Sequence, residues 1–464
     1  MGQTRREKDF LGERDVPAEA YWGIQTLRAV ENFPVSGLRA HPAFVHAMAA
    51  IKKAAAQENA DAGRLDPKIA AAIVRAADEI LAGKWLDQFV VDAYQAGAGT
   101  SSHMNMNEVL ANRGAEILGG RRGDYALVHP NDHANLGQST NDVYPTAMRL
   151  AALMLIEKLR PVLVSLHAAL EAKAAEFKDI VKSGRTHLRD ATPLTLGQEF
   201  GGYAEAVRRG EDFLRKSAES LLDLGIGGTA VGTGVLAHAG YREAMIRRLD
   251  ALIGSELGPG VKLRAARNMF EAMQSNAPFA LVSGALRALA LDLIRIANDL
   301  RLLSSGPNTG LAEIELPAVQ PGSSIMPGKT NPVIAEALTM VCFQVAGNDL
   351  AISLAVQAGQ LELNVMMPVI NHNLLQSLEI LRNAVGAFTE RCVKGISADA
   401  EKCRAYALKS SALATLLRPA LGYEKAAELA REAERTGKSI AGLALEKGVM
   451  TAEDLEKLLS HQKV

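Results

Sequence analysis

Cysteine is scarce, and the three present do not pair. Cys342, Cys392 and Cys403 are odd in number, and none stands at a metal-type spacing from another. That argues against a disulfide-stapled fold and a thiolate metal site, and implies reduced thiols in a cytoplasmic protein. Net charge is scarce as well, −1 from 51 basic and 52 acidic residues. So even a balance leaves no global basic footprint for nucleic acid and no polybasic membrane patch, so an anionic ligand must be met by a local site. No apolar run reads as long enough to span a bilayer. The first eleven residues are charged and lack the apolar core of a signal peptide. Internal repeats and low-complexity tracts are absent, and alternating strand patterns are few.

What remains is helical. The chain has 464 residues and 48% hydrophobic content, too long for one core at ~100–200 residues per domain. Val282, Leu286, Leu289, Leu293, Ile296, Leu300 and Leu303 recur at spacings alternating between four and three. That is the seam of a helix lying nearly parallel or antiparallel to its neighbours in a bundle. A second stripe, Ile156, Leu159, Leu163, Leu166 and Leu170, contains Pro161, which predicts a kink or restart there. Stretches 196–224 and 334–358 are also helix-like. The expected division is a mixed helix-and-loop domain over 1–140, a long-helix bundle over 141–395, and a small charged helical domain over 396–464 broken at Gly422 and Gly437.

The segments between helices are rich in Gly, Ser, Thr, Asn and His, the composition of loops that carry function on a rigid scaffold. The run 227–234, GGTAVGTG, has the look of a phosphate loop. It lacks the Lys-Ser/Thr ending and no strand signal precedes it, so a tight turn where helices or subunits approach closely is the better reading. His129 and His133 stand four apart, but Pro130 makes their segment a loop and no third ligand is evident, so no metal is expected. The most informative segment is Gly322-Ser323-Ser324-Ile325-Met326-Pro327-Gly328-Lys329-Thr330-Asn331-Pro332, within a loop spanning 317–332. Read alone, it presents two adjacent hydroxyls, an ammonium and an amide, a donor set that suits a carboxylate. A plain loop over a helix N-terminus fits equally well.

That segment resembles the signature loop of the aspartase/fumarase superfamily, and other blocks agree in order. Gly97-Ala98-Gly99-Thr100-Ser101 with Met104-Asn105 and Asn107-Glu108 is similar to the family's first block. His129-Pro130-Asn131-Asp132 with Gln138-Ser139-Thr140-Asn141-Asp142 is similar to the second, and Gly184-Arg185-Thr186-His187-Leu188 to the third. The resemblance covers nearly the whole chain. It implies a mainly α, three-domain fold whose central helices assemble into a homotetramer with active sites shared between subunits. It also implies a small dicarboxylate substrate and no cofactor.

The implied reaction removes a weakly acidic proton beside one carboxylate and expels a group from the neighbouring carbon. Its aci-carboxylate dianion needs preorganised donors. By the resemblance Ser323 is the base, Thr100, Ser139, Thr140 and Ser324 surround the carboxylate that gains charge, and Lys329 and Asn331 hold the other. Thr186, His187 and Asn141 line the leaving-group pocket, with Glu336 supporting His187. His129, Asn131 and Asp132 match a secondary anion site of the fumarases. Gln95–Ser101 and Gly359–Val365 lean toward the aspartase branch, which implies ammonia elimination from L-aspartate. A fumarate hydratase, or a lyase for a larger N-, O- or S-substituted succinate, is the alternative. His103, where the family has Asn, and Arg189, where it has Gln, add bulk and potential charge on the leaving-group side. A protonated His103 would repel a substrate ammonium.

Overall fold

A computed structural model describes residues 3–460. The chain opens on a hairpin, β1 (Thr4–Asp9) against β2 (Gly12–Pro17). Helices α1 (Ile24–Asn32), α2 (Pro42–Asp61), α3 (Pro67–Leu81) and α4 (Thr100–Ile117) follow. Two of these starts are written locally. Pro42 and Pro67 occupy the first helical turn, where a missing N–H costs nothing, and the side chains of His41 and Asp66 accept the amides just inside. The start of α1 is held from a distance instead: the buried Glu108 carboxylate accepts from the N–H groups of Gly23, Gln25 and Thr26.

Next come α5 (Thr140–Glu176), the hairpin β3 (Val181–Thr186) with β4 (Arg189–Thr195), and α6 (Leu196–Ala218). The restart predicted at Pro161 does not occur, and α5 is one helix of 37 residues. Proline forfeits one helical hydrogen bond. The stripe on either side of it is 0–3% exposed from Ile156 to Leu170, and burial at ~1.5–3 kcal/mol per side chain outweighs that loss. The β3–β4 hairpin is a second difference, since it occupies one of the segments between helices that were expected to be loops. After it lie β5 (Asp223–Leu224), α7 (Tyr241–Ile253), β6 (Arg264–Ala265), α8 (Met269–Gln274) and α9 (Ala277–Leu303). Then follow β7 (Ile314–Glu315), α10 (Val333–Gln357), α11 (Met367–Arg391), β8 (Ser397–Ala398) and α12 (Ala400–Lys409). The last helices are α13 (Leu413–Leu421), α14 (Tyr423–Thr436), α15 (Ile440–Glu446) and α16 (Ala452–Ser460), with Gly422 and Gly437 at the expected breaks.

The seven heptad residues of α9 are all buried, from Val282 to Leu303. Its other face and that of α10 are apolar too: Leu281, Leu291, Met340, Phe343, Leu350 and Leu354 are 54–65% exposed. Both helices consequently meet the length and composition of a bilayer span, which amends the expectation that no run does. The cysteines are separate buried thiols, and burial pushes each up to about 12.

The chain forms two compact units, one of Met1–Arg160, Asp212–Ala288 and Gln344–Leu381, the other of Pro161–Glu211, Leu289–Phe343 and Arg382–Val464. The divisions fall inside α5, α6, α9, α10 and α11. In the first unit α2 packs on α3 and α7, and α4 on α1 and α3. In the second, α12 packs on β3, and α13–α16 enclose their own core of Leu413, Leu417, Leu429, Ile440, Leu443 and Leu455.

Candidate active site

Two helix N-termini meet in the first unit. Thr100 opens α4 and Thr140 opens α5, and the Thr100 hydroxyl lies 3.2 Å from that of Thr140. Helix starts carry the positive end of the dipole, which favours an anion, although here the N–H groups of Thr100, Ser102 and Asn141 are already taken by Gly97 O, Gln95 Oε1 and Ser139 Oγ. The approach of α4 to α5 is possible because residue 99 is glycine. Its φ is +91°, and a Cβ there would come within 2.3 Å of the Tyr144 ring. Ser139 Oγ accepts the Asn141 N–H, and Asn141 Nδ2 donates to Ala230 O at 2.7 Å.

Asp142 organises this corner. It is fully buried and accepts from the N–H groups of Ser139, Gly227 and Thr229 at 2.9–3.1 Å. Burial raises its pKa to about 6, against the pull of those three donors and of Lys52. The glycine run is thus a turn folded around an internal carboxylate, which takes the amides a phosphate would need. A two-residue strand, β5, does precede it, contrary to the reading of the sequence.

Behind Thr140 lies His103, which the sequence singled out, together with Lys52, which it did not. His103 Nδ1 is 2.9 Å from Thr140 Oγ1, and His103 Nε2 is 2.5 Å from Lys52 Nζ. Lys52 is 0% and His103 1% exposed. Burial, reinforced by Lys52, holds the His103 pKa well below the ordinary imidazole range. The ring is therefore neutral, which removes the repulsion of an ammonium group that a protonated His103 implied. The signal in the sequence was a lysine within the apolar run Ala47–Ala56 of α2, a position that only a buried partner explains.

In the second unit Thr186 and Arg189 close the β3–β4 hairpin, and His187 and Leu188 form its two-residue turn, with φ of +55° and +57°. Positive φ at both turn positions matches the twist of a hairpin but is usually supplied by Asn-Gly. Holding His187 and Leu188 there stores backbone strain beside a candidate catalytic group. The hairpin is anchored at its base. Arg185 makes a two-pronged ion pair with Glu313, 2.9 Å on each prong, and Lys182 lies 2.8 Å from Glu199 and 3.5 Å from Glu313. Glu313 leads through β7 toward the signature loop.

That loop closes on itself. Gly322 N–H donates to Lys329 O at 2.8 Å, and Asn331 Nδ2 donates to Gly322 O at 2.6 Å. Ser323 Oγ accepts two backbone amides, Ile325 at 3.2 Å and Met326 at 2.9 Å. Ser324, Lys329 and Ile325 are exposed. Glu336, in the first turn of α10, lies 3.8 Å from Arg301, and within the chain no hydrogen bond to His187 is present among the described residues.

The candidates thus divide. Thr100, His103, Ser139, Thr140 and Asn141 are gathered in the first unit, while Thr186, His187, Ser323, Ser324, Lys329, Asn331 and Glu336 belong to the second. His129, Asn131 and Asp132 form a turn of the first unit in which His129 Nδ1 accepts the amides of Asn131 and Asp132. His133 Nδ1 accepts the amide of His129.

A family model described as Lyase matches residues 12–347, and one described as Fumarase C C-terminus matches residues 413–464. The chain is 49% identical over 458 residues to the aspartate ammonia-lyase of Bacillus subtilis, which covers 99% of this chain and 95% of that one. It is 51% identical over 456 residues to a fumarate hydratase class II of Halobacterium salinarum, covering 98% and 96%. The crystal structure of a fumarate lyase:delta crystallin from Brucella melitensis bound to cobalt matches with a TM-score of 0.94 at 50% identity, covering 98% of both chains.

Proposed function

The chain belongs to the aspartase/fumarase superfamily of lyases, and from that membership we propose that it forms fumarate by reversible anti-elimination of ammonia from L-aspartate. The observation that carries the reading is Ser323. A serine hydroxyl is far too weak an acid to serve as a base at neutral pH unless its anion is stabilised. The two amides donated to its oxygen, from Ile325 and Met326, are such stabilisation. Ser323 takes the proton from the carbon beside one carboxylate, and the charge passes to that carboxylate as an aci-dianion. Thr100, Ser139, Thr140 and Ser324 donate to it, and the converging helix starts of α4 and α5 favour its second charge. Lys329, which has no ion pair among the described residues, and Asn331 bind the distal carboxylate. Thr186, His187 and Asn141 surround the leaving group, which departs with a proton.

Ammonia is favoured over water by the aspartase-like blocks at 95–101 and 359–365, and the lowered pKa of His103 removes the repulsion that a charged ring would exert on it. Relatives named for each activity are similarly close, so the assay has to separate them. The same proposal includes a homotetramer whose sites draw the 100 and 139–141 regions, the hairpin tip and the signature loop from three subunits. The exposed apolar faces of α9 and α10 support it, because contiguous apolar surface on a soluble lyase marks a subunit contact. A three-domain division at 140 and 395 belongs with it, supported by the separate core of α13–α16. The test is fumarate formation, read by ultraviolet absorbance, from aspartate, malate and a panel of N-, O- and S-substituted succinates. Aspartate should give the highest kcat/KM. A higher value with malate or a bulkier substrate overturns ammonia as the leaving group, and no fumarate from any of them overturns the reaction.

A further inference from the structure

Lys52 is a charged residue with no exposed surface in the middle of α2, and nothing in the reaction described above uses it. Its surroundings fix what it does. Asn135 Oδ1 lies 3.0 Å and Gln138 Oε1 2.9 Å from Lys52 Nζ. Both amide groups have their NH2 ends committed elsewhere: Asn135 Nδ2 donates to Gln138 O, and Gln138 Nε2 donates to Ala134 O and Leu136 O. Their oxygens therefore face the lysine, and two of its hydrogens go to them. The third direction of Nζ is His103 Nε2, at 2.5 Å. The far nitrogen of the same ring meets the Thr140 hydroxyl at 2.9 Å, and Thr140 meets Thr100 at 3.2 Å.

With the ring neutral, two hydrogen arrangements satisfy this chain, and one proton separates them. With Lys52 as an ammonium, its third hydrogen goes to Nε2 and the ring proton must sit on Nδ1. Nδ1 then donates to Thr140 Oγ1, which also accepts from the Thr100 hydroxyl, and the Thr140 hydrogen is turned away from His103. With Lys52 neutral, its lone pair faces Nε2 and the ring proton moves there. Nδ1 becomes an acceptor, and the Thr140 hydroxyl turns back to donate to it.

We propose that Lys52 is a positioning residue that, through the tautomer of His103, sets the direction in which the Thr140 hydroxyl donates. In the ammonium arrangement Thr140 offers its hydrogen to the carboxylate that gains charge, so the inference rests on the assignment of Thr140 made above. The exchange releases one proton from Lys52, shifts one within the ring and rotates one hydroxyl; no other bond changes. The titratable groups facing Lys52 are His103 from α4 and Asp142 from α5, whose carboxylate favours the ammonium. Tyr241, from α7, faces Asp142. From α3, Asp78 is held by Lys53 at 2.6 Å. Burial pulls Lys52 well below the ordinary lysine range. The productive arrangement is therefore present below that lowered pKa and lost as pH rises through it.

The test uses the full-length protein labelled with 15N-histidine, with the His103 signal identified by its loss in His103→Asn. Across a pH titration the His103 ring of the wild type should carry its proton on Nδ1 at the acid end and on Nε2 at the alkaline end, and in Lys52→Met on Nε2 throughout. A wild-type ring that keeps one tautomer over the whole range in which the protein stays folded overturns the proposal without any variant, as does an Nδ1–H ring that persists in Lys52→Met. The second arm measures binding of succinate, a dicarboxylate with no leaving group. Lys52→Met and His103→Leu should weaken it by about tenfold, the worth of one charge-assisted hydrogen bond. His103→Asn, which keeps one acceptor and one donor, should stay within about threefold of wild type. Succinate weakened by Thr140→Ala but untouched by Lys52→Met overturns the relay and leaves the functional reading intact. Unchanged binding in Thr140→Ala overturns the carboxylate assignment itself, while the tautomer still reports whether Lys52 controls the ring.

Discussion

Glu313→Gln keeps the shape of the side chain and removes its charge, and it tests whether the base of the β3–β4 hairpin holds the candidate leaving-group residues in place. The carboxylate is 0% exposed and serves Arg185 on two prongs and Lys182 at 3.5 Å. Lys182, Arg185, Glu199 and Glu313 together sum to zero charge, and the variant leaves one positive charge uncompensated. Breaking a buried pair from one side costs ~3–5 kcal/mol. Two features favour the lower end: Arg185 retains 16% side-chain exposure, and Lys182 keeps Glu199 at 2.8 Å. About 3 kcal/mol is expected, which is roughly a hundredfold in the local opening equilibrium. Native-state hydrogen exchange reads this directly, as faster exchange of the amides of Val181–Thr195 with little change in α2 or α3. Turnover should fall alongside, because Thr186 and His187 sit at the tip of the loosened hairpin. Replacing both partners, Arg185→Leu with Glu313→Leu, should cost far less than the sum of the single changes, since no charge is then stranded. Exchange within about threefold of wild type across the hairpin would refute the reasoning, because that is well under 1 kcal/mol.

Three further outcomes are expected. Ser323→Ala should lose several orders of magnitude in kcat with succinate affinity largely kept, as expected of the proposed base, which would act in the transition state; near-normal turnover removes it as the base. Mixing inactive Ser323→Ala and His187→Ala chains should restore activity if sites are shared between subunits, and a fully active monomer at low concentration would sink that arrangement. Glu79, held by Arg113 and Trp85, has its pKa lowered to about 2 from 4.5. Its stability contribution is therefore present above about pH 4.5 and lost as pH falls toward 2, and Glu79→Gln should cost about 2–3 kcal/mol at pH 7 by denaturant unfolding, with the gap closing on acidification. A gap that widens at low pH contradicts the assignment.

The helices were legible where period and punctuation agreed. The heptads of α9, the stripe of α5 and the prolines opening α2 and α3 each report a local preference that packing had no reason to overrule. Pro161 does not interrupt α5 because its cost, a lost hydrogen bond and a ring clash of ~3 kcal/mol, is offset by the surrounding leucines, a gain not written at that position. The hairpin was invisible for a different reason. Its turn residues, His187 and Leu188, are not turn formers, and what holds them is an ion pair with a residue more than a hundred positions later. The candidate site divides along the same line. Ser323 and the hydroxyls of the first two blocks were picked out by resemblance to a family, since from the residues alone the signature segment read equally well as a plain loop. Lys52 and Asp142 act through partners distant in sequence, and neither has a local signature beyond being a charge where none is expected.

The left-handed backbone at Leu188 has a bearing on how this protein would respond to selection for heat tolerance. A leucine 73% exposed at φ +57° contributes neither core nor turn preference. Glycine at 188 is thus among the cheapest stabilising substitutions open to the chain, and its neighbour is the imidazole inferred to serve the leaving group. A screen on thermal survival alone should enrich that change early; a screen that also demands turnover should retain leucine if a stiff tip is what keeps His187 aimed. The two enrichment profiles, compared at this one codon, would separate a residue kept for chemistry from one tolerated by default.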